Sequence, residues 1–151
     1  MRRAVAVAAA GTWPKEEATT SVTLAYDDRH RRRIVLDADD GAPVLLDLAR
    51  ARVLADGDGL ALDGGGWILV RAAAERVLDV HGHDAAATAR LAWHLGNRHT
   101  PVQVLADGTL RLRDDPVLAA MLQGLGAEIR RSVAPFTPEP GAYAGGHDRG
   151  D

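Results

Sequence analysis

Six histidines and no cysteine define the metal chemistry open to this chain of 151 residues. His99 is the best placed of the six. It follows Gly96 and Asn97, which predict a helix end with the usual left-handed cap residue. It precedes Thr100 and Pro101, where the proline keeps the residue before it extended. An imidazole on so short a junction is held in place, where it can ligate a metal or donate a proton.

Without cysteine, a metal site must use imidazole, carboxylate, backbone oxygen or water as ligands, and imidazole suits nickel, zinc or copper. One imidazole cannot hold such an ion tightly. In a two-fold dimer, however, a residue near the axis meets its own copy, so two His99 side chains can share one ion. The open coordination shell that results suits release of the ion, because closed four-ligand sites are typically structural.

The other histidines differ in their prospects as ligands. His147 is the second candidate, because an extended tail that starts near Val133 can span up to ~45 Å. Its alternative interpretation is a terminal histidine without a role. His81 and His83 form a His-x-His turn that we interpret as a solvated loop. His94 lies on the polar face of the predicted helix, and we expect it to be solvated as well.

Composition and motifs exclude several other classes of function. The formal net charge of −3 provides no global attraction to nucleic acid or to an acidic membrane. Lys15 is the only lysine, so no glycine cluster leads into a phosphate-binding P-loop. Neither Ser21 nor Ser132 lies in a Gly-x-Ser-x-Gly motif, which argues against a serine hydrolase.

Membrane insertion and export are not expected either. No stretch approaches the length of a membrane span. The alanine-rich residues 4–10 faintly resemble a signal peptide, but the run is short, and we interpret it as a first strand. We therefore expect a cytoplasmic protein.

Residues 29–33, Arg-His-Arg-Arg-Arg, are the one strong charge run of the chain. Such a run can dock an acidic partner or RNA. An RNA-recognition motif, however, needs aromatic residues on its central strands, and the predicted strands at 77–80 and 109–112 have none. We interpret the run as a solvated strand edge, with contact to a partner protein as the open alternative, and expect no nucleic-acid partner.

The first half of the chain predicts a small all-β domain over residues 1–73. Short strands without helical periodicity are separated by turn residues, as in a sandwich or barrel. Asp63 to Gly66 is a hairpin signal between two of them.

The elements that must position His99 lie in a second predicted domain, residues 74–135, with the order β-α-β-β-α-β of a ferredoxin-like fold. Asp84 is a good N-cap for its first helix, and Pro116 opens the second. Residues 136–151 lack the apolar residues to fold alone, and we expect a flexible tail. The fold class is therefore α+β. The apolar face of the second helix is predicted to consist of Leu118, Met121, Leu122 and Leu125.

One motif, Gly96-Asn97-Arg98-His99, taken together with the ending Gly141-Ala142-Tyr143, resembles the UreE family of urease accessory metallochaperones. Weaker motifs extend the resemblance over almost the whole chain. These are Asp27–Arg33, Asp40–Gly41, Gly57–Leu60, Glu75–Leu78, Pro116–Leu122 and Pro135–Tyr143.

The resemblance implies a nickel chaperone and not an enzyme. It implies a homodimer that delivers Ni²⁺ to apo-urease during assembly of the urease metallocentre, with the accessory GTPase UreG, UreF and UreD/UreH as partners. His99 corresponds to the shared ligand at the dimer interface, and His147 to a tail histidine that adds to the coordination. Zn²⁺ or Cu²⁺ can compete for the same ligands.

Two departures from the family pattern argue against additional metal sites. Many relatives end in a histidine-rich tail, whereas this chain has His147 followed by Asp148 to Asp151. Some relatives carry histidines before the second helix, where this chain has Arg113 to Asp115.

Two alternative functions stay open. A peptide-binding or scaffold module of urease maturation would act through the N-terminal domain, with the histidines incidental. A small hydrolase would use His99 as a base, but no candidate nucleophile accompanies it. Whether His81 and His83 form a secondary metal site also stays open.

Overall fold

A computed structural model describes residues 1–141 of the 151-residue chain, and these residues divide into two compact units. The N-terminal unit comprises residues 1–73 and the C-terminal unit residues 74–141. Each unit has its own hydrophobic cluster. None of the described helices is long and apolar enough to cross a membrane.

The N-terminal unit is all-β, as the sequence predicts, and is built on one six-stranded sheet. Its order is β2-β6-β5-β1-β4-β3, with β1 parallel to β4, β2 parallel to β6, and the other neighbours antiparallel. Single short turns of 3₁₀ helix precede β2 and β3. The strands are β1 (Arg2–Ala8), β2 (Ala18–Leu24), β3 (His30–Asp37), β4 (Pro43–Val53), β5 (Gly59–Leu62) and β6 (Trp67–Ala72).

Alternation along the strands builds the core of this unit. In β4, Val44, Leu46 and Leu48 are buried at every second position, because successive side chains of a strand point to opposite faces. The predicted hairpin over Asp63–Gly66 joins β5 to β6. Its three glycines all have positive φ angles, a conformation that glycine adopts without steric cost.

Arg29 corrects the interpretation of residues 29–33 as a uniformly solvated strand edge. Its side chain is fully buried, and its guanidinium donates to the carbonyl oxygens of Leu24 at 3.0 Å and Leu54 at 3.3 Å. The guanidinium also lies 5.9 Å from the centre of the Tyr26 ring. A buried charge requires such partners, and they come from chain segments on both sides of Arg29. The remaining residues of the run, 30–33, are exposed on β3.

The C-terminal unit has the predicted ferredoxin-like order β-α-β-β-α-β, and its sheet runs β10-β7-β9-β8 with all neighbours antiparallel. This confirms the expected α+β class. A paired salt bridge ties the two central strands, since the guanidinium of Arg111 donates to both carboxylate oxygens of Asp79 at 2.8 and 2.9 Å. The elements are β7 (Ala74–His81), α1 (Ala85–Asn97), β8 (Gln103–Val104), β9 (Leu110–Arg113), α2 (Pro116–Gly124) and β10 (Glu128–Pro135).

Both helices begin at an aspartate cap and pack one face on the sheet. The Asp84 carboxylate accepts from the Ala87 N–H, and Asp115 caps α2 with Pro116 at the first helical position. Leu125, predicted on the buried face of α2, is instead 45% exposed because the helix ends at Gly124. The buried residues of the two helices are Leu91, Leu95, Ala119 and Leu122.

The chain just after β10 packs on the C-terminal unit. The sequence instead predicts that a flexible tail begins at residue 136. Phe136 is fully buried. The Glu139 N–H donates to the Val102 carbonyl at 2.8 Å, and the Glu139 carboxylate accepts from the Val104 N–H at 3.0 Å. Burial of this aromatic ring removes apolar surface from water, which offsets the entropy of ordering the segment.

Candidate metal centre

His99 lies directly after α1, in the turn that closes the helix. The helix ends at Asn97 with Arg98 as C-cap. The His99 N–H donates to the Gly96 carbonyl and the Thr100 N–H to the Leu95 carbonyl, both at 3.0 Å. These two bonds form a Schellman motif, which satisfies carbonyls that the end of a helix otherwise leaves without partners.

The left-handed residue of this motif is His99 itself, with φ +58°, and not Gly96 or Asn97 as the sequence analysis predicted. The helix continues through both of those residues, so the left-handed residue lies two positions after Asn97. His99 is the only non-glycine residue with positive φ among residues 1–141. A side chain in this conformation costs roughly 1–2 kcal/mol.

The second helix of the same unit ends in the same way but places glycine at the strained position. After α2, Gly126 has φ +87°, its N–H donates to the Gln123 carbonyl, and the Ala127 N–H donates to the Leu122 carbonyl. One unit therefore contains two matched helix ends, one with glycine and one with histidine. Strained side-chain positions of this kind cluster at functional sites, so the backbone conformation of His99 makes it a candidate on geometric grounds.

The His99 side chain is exposed at an open cavity of about 530 Å³ within the C-terminal unit. Charged groups of both signs surround it, so an ion bound there would meet polar and not apolar walls. The lining residues are Glu75, Arg76, Arg98, His99, Thr100, Pro101, Arg113, Asp114, Asp115 and Leu118.

The two neighbouring aspartates of the cavity differ in what they can bind. Asp115 already accepts hydrogen bonds from the N–H groups of Val117 and Leu118 at 2.8 and 3.1 Å, as the cap of α2. Asp114 places one carboxylate oxygen 3.3 Å from the Arg131 guanidinium. Its other oxygen, Oδ1, is buried and has no hydrogen-bond partner among the described residues. Asp114 is thus a lining residue of the cavity whose Oδ1 is buried without a partner among the described residues.

Within residues 1–141, no three histidine, cysteine or acidic side chains lie close enough together to hold a metal ion. Zinc sites in proteins use three or four protein ligands, and His99 has no such set of ligands around it within residues 1–141.

The remaining histidines of the described chain lie apart from a multi-ligand site. His81 and His83 are exposed at the turn between β7 and α1, and the His83 imidazole lies 3.4 Å from the Asp84 carboxylate. His94 is half-buried on α1, where its ring meets the Trp93 ring edge-on with centroids 5.0 Å apart. The second predicted ligand, His147, lies outside the described residues.

The segment after β10, which packs through Phe136 and Glu139, fixes the position from which the chain continues beyond Gly141. Glu139 is hydrogen-bonded to Val102, three positions beyond His99. From Gly141 the chain to His147 can span at most about 20 Å. Sequence reasoning missed this anchor, although the single phenylalanine of the chain, Phe136, was a signal for it.

Comparison with known proteins agrees with the resemblance noted from the motifs. Residues 2–73 match the family described as UreE urease accessory protein, N-terminal domain, and residues 75–151 match the corresponding C-terminal domain. The chain is 49% identical over 144 residues to the urease accessory protein UreE of Bradyrhizobium sp. (strain ORS 278), which covers 95% of this chain and 68% of the relative.

Two further relatives carry the same name. The UreE protein of Beijerinckia indica is 48% identical over 152 residues, covering 100% of this chain and 87% of its own. That of Burkholderia pseudomallei (strain 1710b) is 53% identical over 130 residues, covering 86% and 64%. Because both domain matches and these identities extend over nearly the whole sequence, the chain belongs to the UreE family of urease accessory proteins.

Proposed function

We propose that this protein is a nickel metallochaperone that delivers Ni²⁺ to apo-urease during assembly of the urease metallocentre. Membership in the UreE family supports a role in urease maturation, and the family is one of chaperone-type accessory proteins and not of enzymes. The observation that carries the metal assignment is the exposed imidazole of His99, held in a left-handed cap where glycine would be more stable.

The proposed site is shared between two copies of the chain. Two His99 imidazoles meet near a two-fold axis and bind one ion between them. The exposed apolar residues of the C-terminal unit support association through this unit, because large exposed apolar side chains mark interaction surfaces. These are Trp93, Val104, Val117, Leu125 and Val133, and the proposal requires that some of them form one continuous patch beside His99.

His147 is proposed to complete the site from one or both tails, with water in the remaining positions. The anchor of Glu139 at Val102 supports this role, because it starts the last residues close to the segment that bears His99. A shell finished by a short, separate segment can open without unfolding the domain. This suits a protein that must hand over its ion.

Nickel is the cargo in this proposal, and imidazole ligands by themselves do not select it. Copper binds such sites more tightly than nickel, and zinc competes. Selectivity therefore comes from coordination geometry and from metal supply.

The biological setting follows from the proposed cargo. The metal-binding function resides in the ferredoxin-like domain, residues 74–135, and the tail, residues 136–151, while residues 1–73 serve partner binding. The partners are a second copy of the chain, apo-urease, the GTPase UreG, UreF and UreD/UreH, all in the cytoplasm.

Nickel titration calorimetry together with mass determination in solution tests the proposal. We expect about one Ni²⁺ per dimer for the natural protein, binding that is lost in His99→Gly and weakened in His147→Ala. His99→Gly is preferred over alanine because glycine preserves the Schellman cap. His83→Ala is the matched control, since it removes an exposed histidine of the same unit.

Equal nickel binding by the natural protein and His99→Gly would overturn the assignment of the ligand. A monomeric mass with nickel bound would overturn the shared site. Loss of binding in His83→Ala alone would move the metal to the turn before α1.

A further inference from the structure

Four exposed arginines come together on the outer edge of the N-terminal unit. Arg31, Arg32 and Arg33 follow one another on β3, and Arg52 of β4 lies directly opposite Arg31 in the strand register. We call these four residues the basic ribbon. The sequence shows three of them as a run, but only strand pairing adds the fourth from a segment about twenty residues away.

The acidic neighbours of the basic ribbon neutralise it incompletely. Arg31 lies 3.7 Å from the Asp28 carboxylate, and Arg33 lies 3.9 Å from that of Asp47. Asp47 is also held by Arg3 at 3.1 Å, so its charge is divided. The ribbon thus carries a local excess of positive charge in a chain whose formal net charge is −3.

The pairing of Arg31 with Arg52 opposes the stability of the strand pair. Like charges at directly opposite positions of antiparallel strands repel each other. The guanidinium of Arg32 donates to the Leu48 carbonyl at 3.3 Å, which anchors one arginine of the ribbon. Arg31 and Arg52 cannot bond to each other, because a guanidinium has no acceptor. An anion that binds both guanidinium groups would offset this repulsion.

The strand that carries three of the four arginines lies at the end of its sheet. β3 is the last strand in the order β2-β6-β5-β1-β4-β3. Just after β3, the Asp39 N–H donates to the Ser21 carbonyl of β2, so the two edge strands approach each other at that end. The arginines lie at the opposite end of β3, where no described strand pairs with its outer side. The register with β4 is irregular between Arg31 and Arg33, so this part of the edge presents guanidinium groups and not a regular row of main-chain groups.

We propose that the basic ribbon is a docking surface for an acidic, extended segment of a partner protein, which places carboxylates on Arg31, Arg33 and Arg52. Arginine suits this task because its planar guanidinium binds carboxylate through two parallel hydrogen bonds. This inference goes beyond nickel delivery and does not depend on it.

An acidic protein segment fits the basic ribbon better than RNA does. Neither β3 nor β4 contains phenylalanine, tyrosine or tryptophan, the residues on which unpaired bases stack. The negative net charge of the chain also opposes long-range attraction of a polyanion, whereas a short acidic segment meets only the local positive field.

Fluorescence anisotropy of a labelled octaglutamate peptide with the metal-free full-length protein tests this inference. We expect salt-sensitive binding that is weakened about tenfold or more in the triple variant Arg31→Glu, Arg33→Glu, Arg52→Glu. Hydrogen exchange should show slower exchange of the β3 amides when the peptide is bound. A lysine triple variant at the same three positions keeps the charge but loses the bidentate geometry, so its affinity is expected to lie between those of the natural protein and the glutamate variant.

The matched control reverses three exposed arginines elsewhere, Arg71→Glu, Arg90→Glu and Arg130→Glu, with the same change in net charge. Equal weakening in this control would show attraction by net charge and would overturn the site. Stronger binding of an oligouridylate of the same length than of the peptide would replace the protein partner by RNA. Absence of peptide binding at low ionic strength would overturn the inference altogether.

Discussion

At the scale of single residues, His99 combines exposure with backbone strain. The cost of its φ angle of +58° is offset by two cap hydrogen bonds of 3.0 Å. Its side chain is not part of the hydrophobic cluster of the unit. Stability alone would favour glycine at this position, as at Gly126. In the proposed function, the imidazole is a nickel ligand, which is a reason for histidine at this position that stability does not provide.

Replacing His99 by glycine is expected to raise the free energy of unfolding by about 0.5–1 kcal/mol, because glycine adopts positive φ without steric cost. Urea denaturation of the metal-free protein measures this change. The matched variant is Gly126→Ala, which is expected to lower stability by about 1 kcal/mol. A Cβ at Gly126 meets no atom within 4 Å, so its cost comes from the backbone alone. A destabilised His99→Gly variant would contradict the strain argument.

Replacing Arg29 by methionine is expected to lower the free energy of unfolding by about 2–4 kcal/mol, since the carbonyls of Leu24 and Leu54 would lose buried donors. Chemical denaturation followed by circular dichroism measures the loss. Arg52→Met is the control, because Arg52 is exposed, and it should change stability by less than about 0.5 kcal/mol. Similar effects in both variants would show that Arg29 is not the structural arginine of the run.

At the scale of elements, ion pairs join segments that are distant in sequence. The Arg2 guanidinium of β1 donates to both carboxylate oxygens of Asp40, at 3.0 Å each, and so ties the first strand to the turn between β3 and β4. In the C-terminal unit, the guanidinium of Arg111 joins β7 to β9 through Asp79 and donates to the Pro135 carbonyl at 3.2 Å. Bidentate geometry of this kind fixes register as well as adding stability.

The Arg2–Asp40 pair predicts a specific dependence of stability on pH. Hydrogen bonds from Arg2, and then from the Ala42 N–H, hold the pKa of Asp40 below its usual range. A carboxyl whose pKa is lower in the folded state stabilises the fold above its unfolded pKa, and this stability is lost as the pH falls through the folded pKa. We expect Arg2→Gln to lower the urea midpoint near neutral pH and to match the natural protein in strong acid. A difference that persists unchanged in acid would contradict this linkage.

At the scale of the whole molecule, each unit has its own hydrophobic cluster, and the chain after β10 belongs to the second. Phe136 is fully buried, and Thr137 and Glu139 are hydrogen-bonded to Gln103, Val102 and Val104. This packing holds the origin of the last residues beside the segment that bears His99. From Gly141, even a fully extended chain spans no more than about 20 Å to His147.

Replacing Phe136 by alanine is expected to lower the stability of the C-terminal unit by about 3–5 kcal/mol, the usual cost of emptying a buried aromatic site. Hydrogen exchange followed by mass spectrometry should show faster exchange in residues 74–141, with residues 1–73 little affected. Phe136→Leu keeps most of the apolar volume and should lose less. Unchanged exchange in Phe136→Ala would show that the segment does not anchor the tail.

Much of the fold is determined by local patterns in the sequence. The two aspartate caps, the proline that opens α2, the Gly-rich hairpin and the order β-α-β-β-α-β all follow from the chemistry of neighbouring residues, and the structure has them where expected. The His99 junction and the family motifs are local in the same sense. Hydrophobic periodicity and turn chemistry act over a few residues, which is why one sequence suffices to read them.

Tertiary structure alone decided the features that depend on residues far apart in the chain. Arg29 is buried because carbonyls of Leu24 and Leu54 converge on it, and Arg52 joins the basic ribbon because β4 pairs with β3. His99 occupies the left-handed position because α1, with Leu95 buried in its last turn, continues through Gly96 and Asn97. Local propensity is a weak preference that long-range packing overrides, so burial, strand partners and the last turn of a helix are determined only when the whole chain folds.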